Sequence, residues 1–291
     1  MKRVLALILV ALPGAAFAHA AHDHSQAPGW EFDPLVVIPL ALSLIIFITG
    51  WVRLANRSKV DRRRSLLFVG GWAVLALSLV SPLHQAGERS FAMHMIEHEL
   101  IMLVATLLLA TSQAGGVLAW GLPSPLRHAL GGGWKAPLSM VWKRLTEPVT
   151  ATIVQAVVMW LWHAPFMFDR ALDSDAWHAA QHLSFVVASL LFWVAMLSPR
   201  RGGYLLSAGC LFVTTMVEGA LGALMALSQS PWYSDYAAMS LSGIGLDPTT
   251  DQQLAGLIMW IPGGVLHGAA ALLLLYHWLK TSEAGHALRA H

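Results

Sequence analysis

The chain alternates between long apolar runs and short polar connections, with apolar stretches at about 35–54, 65–82, 91–112, 148–166, 177–198, 204–228 and 253–279. At about 1.5 Å rise per residue each comes close to the ~30 Å of a hydrocarbon layer. The pattern predicts an all-α fold, a polytopic membrane bundle of seven transmembrane helices. The connection between the third and fourth runs, GLPSPLRHALGGGWKAPLSMVWKRLTEP, is rich in Gly and Pro and has room for a short interfacial helix.

The loops orient the bundle. Arg53, Arg57, Lys59, Arg62, Arg63 and Arg64 crowd the first loop, Arg127, Lys135, Lys143 and Arg144 the third, and Arg200 and Arg201 the fifth. Short cation-rich loops stay on the cytoplasmic side. The alternate loops carry acids instead, Asp169, Asp173 and Asp175 in one and Asp235, Asp247 and Asp251 in another. With Lys280 and Arg289 near the end, every loop agrees with an N-out, C-in arrangement. The opening MKRVLALILVALPGAAFAHA has a basic start, a short apolar run and small residues at Ala16-Phe17-Ala18, the pattern of a secretory signal over 1–18. The expected organisation is a cleaved signal, a His-rich extracytoplasmic arm over 19–34, a seven-helix domain over 35–280 and a cytoplasmic tail over 281–291, in a bacterial inner membrane.

Composition agrees: 56% of the 291 residues are hydrophobic and 12% charged, with mean hydropathy +0.60. The net charge of +2 is accounted for by orientation, so no nucleic-acid partner is implied. The single cysteine, Cys210, rules out a CxxC site within one chain. Metal chemistry would have to rest on His, Met, Asp or Glu.

Those residues fall in a layer. His94 and His98 open the third run from the outer side, His178 and His182 open the fifth, and His163 closes the fourth as it leaves toward the same face. Each pair is spaced i,i+4 and so occupies one helix face. A lone membrane histidine is more often a hydrogen-bonded core residue than a ligand. Five at one depth on three helices point instead to a site, because ionisable groups in a span are costly and usually functional. Imidazole with thioether and no thiolate suits copper(I). Met102, Met159 and Met259 combine a suitable depth with a ligand-bearing or facing helix, although methionine is more often packing. Glu97 is placed to orient a histidine, Glu218 to do the same or to pair with His267, and Glu99 falls off the histidine face. In the arm, His19, His22 and His24 form a short His-rich tract of the kind that captures metal.

The residues HMIEHELIML, WLWHAPFMFDRAL, HAAQHLSFVVASLLFW, PWYSDYAAM and DQQLAGLIMWIPGG resemble, in order, the polytopic CtaG-type family, membrane assembly factors of caa-type cytochrome c oxidases. The resemblance runs from about residue 35 to 279. It implies a seven-helix protein needed for an active oxidase, with the family's histidine motifs on His94, His98, His163, His178 and His182. Its terminal motif falls on Asp251, Gln252, Gln253, Met259, Trp260 and Pro262.

The leading expectation is an assembly factor that holds copper(I) in the outer leaflet and passes it to oxidase subunits or a copper chaperone. A haem-binding electron-transfer protein and a copper transporter are the rivals. No phosphate loop or Ser/His/Asp signature is present, so no enzyme activity is expected.

Overall fold

The computed structural model describes residues 28–56, 60–131, 135–198 and 203–287. The predicted signal and the histidines at 19, 22 and 24 lie outside the described residues, which are all helix and connection, without a strand. In chain order the helices are α1 (Pro34–Ala55), α2 (Arg62–Val80), α3 (Pro82–Arg89), α4 (Phe91–Glu99), a π-helical segment (Leu100–Ala105), α5 (Thr106–Ser112), α6 (Gly115–Gly121), α7 (Ser124–Gly131), α8 (Lys135–Leu145), α9 (Pro148–His163), α10 (Pro165–Leu172), α11 (Asp175–Leu197), α12 (Tyr204–Leu227), α13 (Ser234–Ala237) and α14 (Pro248–Ala287).

Local chemistry sets these boundaries. Asp33 caps α1 by accepting from Leu35 N, and Asp61 caps α2 through Arg63 N and Arg64 N. The second apolar run ends two residues earlier than its hydropathy predicts. Ser81 is extended because it precedes Pro82, and its hydroxyl caps α3 at Leu83 N. Likewise Ala164 is extended before Pro165, so the fourth run stops at His163 and α10 starts in a new direction.

Among the described residues, six helices are long and apolar enough to cross a membrane by themselves: α1, α2, the continuous stretch Phe91–Ser112, α11, α12 and α14 through Ser282. The seventh expected span, α9, is 16 residues. It qualifies only together with Ala136–Leu145, from which it is bent by 68°. The described residues therefore hold six to seven candidate spans, seven where this bent pair counts as one.

Peripheral α1 exposes Leu35, Ile38, Leu42 and Ile45, the apolar outer face of a helix solvated by lipid. Its inner face is tied to α2 by Trp72 Nε1, which donates to Leu40 O and Ser43 Oγ, both at 3.1 Å. Arg53 donates to the C-terminal carbonyls of α6 at Trp120 and Leu122. The Phe91–Ser112 span is central, with α4 packed on α3 and α14 and the π-helical segment packed on α2 and α11.

The most extensive helix pair is α12 with α14. Its closeness depends on glycine: a Cβ at Gly256 would fall 2.5 Å from Ala226 N, and one at Gly222 would fall 2.8 Å from Gly256 O. Such small-residue contacts replace the hydrophobic driving force that lipid removes. We expect Gly256→Leu to destabilise the detergent-solubilised protein by about 3 kcal/mol. Gly209→Ala, on α12 where a Cβ meets nothing within 4 Å, should be neutral or stabilising in the same thermal unfolding measurement.

Candidate metal centre

The connections that carry α3, α10 and α13 bring the ends of α2, α9 and α12 beside the starts of α4, α11 and α14. This end of the bundle collects the histidines. His94, His98, His163 and His182 are buried, at 1% to 3% exposure, and His178 is half-buried. The rings of His94 and His98 are 4.3 Å apart between centroids, those of His178 and His182 4.5 Å, and the helices meet at His94–His178 (5.3 Å) and His98–His182 (5.4 Å). His163 approaches His98 at 6.1 Å. The ligand atoms of His94, His98 and His182 all lie within 4.8 Å of one another.

The nitrogen tautomers follow from the partners. Tyr236 Oη donates to Gly87 O at 2.6 Å, so its oxygen is left to accept from His94 Nδ1 at 3.3 Å. His163 Nδ1 donates to Met159 O at 2.7 Å. Both rings then present an unprotonated Nε2. Nε2 of His94, His98, His163, His178 and His182 is in every case buried without a hydrogen-bonding partner, as is Nδ1 of His98. Buried polar atoms in native proteins are nearly always satisfied, and five convergent orphans are a fit for a metal ion.

One member of the layer escaped sequence reasoning. His84, on α3, stacks on His178 at 5.1 Å and lies 5.7 Å from His182. The ligand atoms of His84, His178 and His182 form a second set within 4.8 Å. The usable signal was Ser81-Pro82, a helix start that converts a supposed outer loop into an element aimed at the site. Glu97 takes its strongest contact here: its Oε1 accepts from His84 Nδ1 at 2.8 Å and is 3.8 Å from His182 Nε2.

The remaining expected residues are placed as follows. Met102 packs with Leu75, Leu79, Ile101 and Phe185, whereas Met159 and Met259 pack with Phe91, Met95 and Phe168. Glu218 Oε2 contacts His267 Nδ1 at 3.2 Å, and its Oε1 accepts from Gln155 Nε2 at 3.4 Å. Glu99 is not turned away to lipid. A Cβ at Gly263 would stand 3.6 Å from Glu218 Oε2 and 3.9 Å from Glu99 Oε2, so both carboxyls face the same small residue of α14.

A model of the family described as cytochrome c oxidase caa3 assembly factor (Caa3_CtaG) matches residues 45–281. The chain belongs to this family. All six histidines of the layer lie within the match. The chain is also similar to the uncharacterized proteins Mb0105 of Mycobacterium bovis and MT0111 of Mycobacterium tuberculosis. It is 26% identical to each over 247 residues, covering 79% of this chain and 36% of theirs. It thus spans little more than a third of the length of those relatives. No solved structure matches it.

Two further motifs of the chain clasp the histidine layer. Asp251 caps the histidine helix from a distance, accepting from Ser90 Oγ at 2.8 Å and from Phe91 N at 2.6 Å. Gln252 accepts from Trp232 N and donates to Ser230 O, and Gln253 donates to Ser228 O. In the segment these glutamines hold, Tyr233 Oη donates to His163 O at 3.1 Å, while Ser234 donates to both oxygens of Asp169. Burial pushes both phenols, Tyr233 and Tyr236, above their ordinary range, keeping them neutral donors.

Asp251→Ala removes both bonds that fix the start of α4. We expect a loss of about 2 kcal/mol, read by thermal unfolding, with Asp251→Asn recovering part of it. A pH effect is expected at His84. Burial opposes its charged form, but the Glu97 carboxylate, with Glu31 and Glu88 beyond it, outweighs burial and raises its pKa from 6.5 to about 9. A raised folded-state pKa adds stability that is complete below 6.5 and lost as pH rises through about 9. Metal-free protein should therefore lose on the order of 2 kcal/mol across that window. Unfolding measured against pH should show the slope in wild type and lack it in Glu97→Gln.

Proposed function

We propose that this assembly factor holds copper(I) at His94, His98 and His182, with His163 alongside, and delivers it to the cytochrome c oxidase it helps assemble. The observation that carries the reading is the convergence of unpartnered Nε2 atoms at one buried end of the bundle. Three neutral imidazoles without thiolate form a set that suits copper, and ligand-by-ligand exchange lets such a site release its ion to an acceptor. The ion supplies only its charge and its bonds. The chain's own residues do the remaining work: Tyr236, the Met159 carbonyl and Glu97 hold rings in orientation, and Phe168 and Phe185 exclude water from the layer. The role is non-catalytic, in keeping with the family.

The cation-rich loops support an orientation that puts this end of the bundle outside the cytoplasm, where the acceptor subunit would meet it. Two features weigh against the rival functions. The histidine rings pack directly against Phe168 and Phe185 in tilted and edge-on contacts, which favours a single ion over a macrocycle between them. Polar groups below the layer continue through Gln155 and Glu218 to His267, which stacks on Trp193 above an apolar cluster of Phe192, Met196, Leu211 and Leu274. That cluster supports holding over transport.

The full-length protein, purified anaerobically and titrated with copper(I) against a chromophoric chelator, should bind the ion. His94→Ala and His182→Ala should weaken binding at least tenfold and lower oxidase activity in cells expressing them. Unchanged oxidase activity in both variants, with no copper bound by wild type, would sink the proposal.

A further inference from the structure

The histidine layer contains two three-residue sets, and they differ in access. His94, His98 and His182 are all buried, whereas His84 and His178 are only half-buried. A groove of about 380 Å³ opens onto the second set, lined by His84, His178 and His182 together with Glu31, Glu88 and Asp175. Among the described residues, the outer set meets solvent through an acidic mouth, and the fully buried inner set lies behind it. His182 belongs to both.

The anchoring of His84 points the same way. Its Nδ1 is engaged by Glu97 at 2.8 Å, which leaves Nε2 as the ligand atom, the arrangement in which a carboxylate orients a metal-binding imidazole. The same carboxylate oxygen stands 3.8 Å from His182 Nε2, so Glu97 sits at the junction of the two sets.

We infer that the layer is a two-station relay: His84, His178 and His182 receive copper(I) from the groove, and His94, His98 and His182 retain it. This rests on the copper reading proposed above. One neutral imidazole nitrogen forms one metal bond, so the shared His182 cannot serve both stations at once, and the stations are occupied in turn by a single ion. In the handover the bonds to His84 and His178 break as bonds to His94 and His98 form, while the bond to His182 persists. Copper remains copper(I) throughout; the Nε2 proton of His84 leaves to solvent through the groove as the ion binds there and returns when the ion moves inward, so no electron acceptor is needed. The carboxylates of the mouth attract the cation and disfavour anions, raising the encounter rate.

The relay predicts that His84 governs the rate of loading and His98 the strength of retention. The test uses the full-length protein in detergent without oxygen, with the copper(I) complex of bicinchoninate as donor and its colour loss as the stopped-flow signal. Wild type should take up one copper per chain. His84→Asn should load at least tenfold more slowly while its final affinity stays within about threefold of wild type. His98→Ala should keep fast uptake and lose at least tenfold in affinity. Ala179→Phe, which narrows the groove that Ala179 lines and removes no ligand, should slow loading without changing affinity. It separates access from any folding defect of the histidine variants.

Loading of His84→Asn and Ala179→Phe at the wild-type rate would overturn the relay and leave the copper reading intact. An affinity loss in His84→Asn equal to that in His98→Ala would also overturn it, since the six histidines would then act as one site. Absence of copper from wild type itself would overturn the copper reading and the relay with it.

Discussion

A nitrogen taken out of water has to find a partner, and this constraint organises the molecule around α4. That helix carries His94, Glu97 and His98, and each of the three side chains is at most 2% exposed. In a bilayer no water compensates an unmatched imidazole, so protein or ligand has to do so. The structure meets half of the requirement. Tyr236, Glu97 and the Met159 carbonyl engage the Nδ1 atoms of His94, His84 and His163, and the Nε2 atoms of His94 and His163 are left without a protein partner. Anchoring one nitrogen fixes both the ring plane and the tautomer, which is how a layer of histidines becomes a set of aimed ligands and not a loose polar patch.

The support of that layer is spread over helices that carry none of its ligands. Glycine contacts between α12 and α14 let the start of α14 come close enough for Asp251 to cap α4, and the two glutamines that follow hold the segment bearing Tyr233 and Tyr236. The Asp-Gln-Gln motif is thus a clasp. Its contribution is positional: displacing α4 would misplace His94 and His98 together. The π-helical segment after Glu99 fits the same economy of space. Met102 O, inside it, accepts both from Thr106 Oγ1 at 2.6 Å and from Trp193 Nε1 at 3.0 Å, so the widened turn is stabilised from α11.

Much of the arrangement was legible in the chain, and the limits have physical causes. The paired spacing of His94 with His98 and of His178 with His182 reads directly as two helix faces, and run lengths placed both pairs at the same end of the bundle. His84 was not legible, because hydropathy assigns it to a loop and only the Ser81-Pro82 cap turns that loop into α3. Counting Met102 among the residues beside His94 and His98 assumed an unbroken α-helix. The π-helical segment changes the phase after Glu99, and Met102 packs among Leu75, Leu79 and Phe185. Glu99 had no account from periodicity, since what its carboxyl meets, Gly263 of α14 beside Glu218, is a contact between helices.

The sequence by itself determined the class of molecule, the number of apolar runs, the end at which the histidines collect, and the donor chemistry available. Each of those depends on composition and on one-dimensional spacing within single helices. Tertiary structure alone decided that His84 joins the layer, that Glu97 serves His84 first, that His182 is common to two sets, and that Asp251 caps a helix 160 residues away. These are contacts between elements, and no periodicity within a helix encodes the distance between two of them. They were settled by how closely glycine, proline and capping groups let the helices approach.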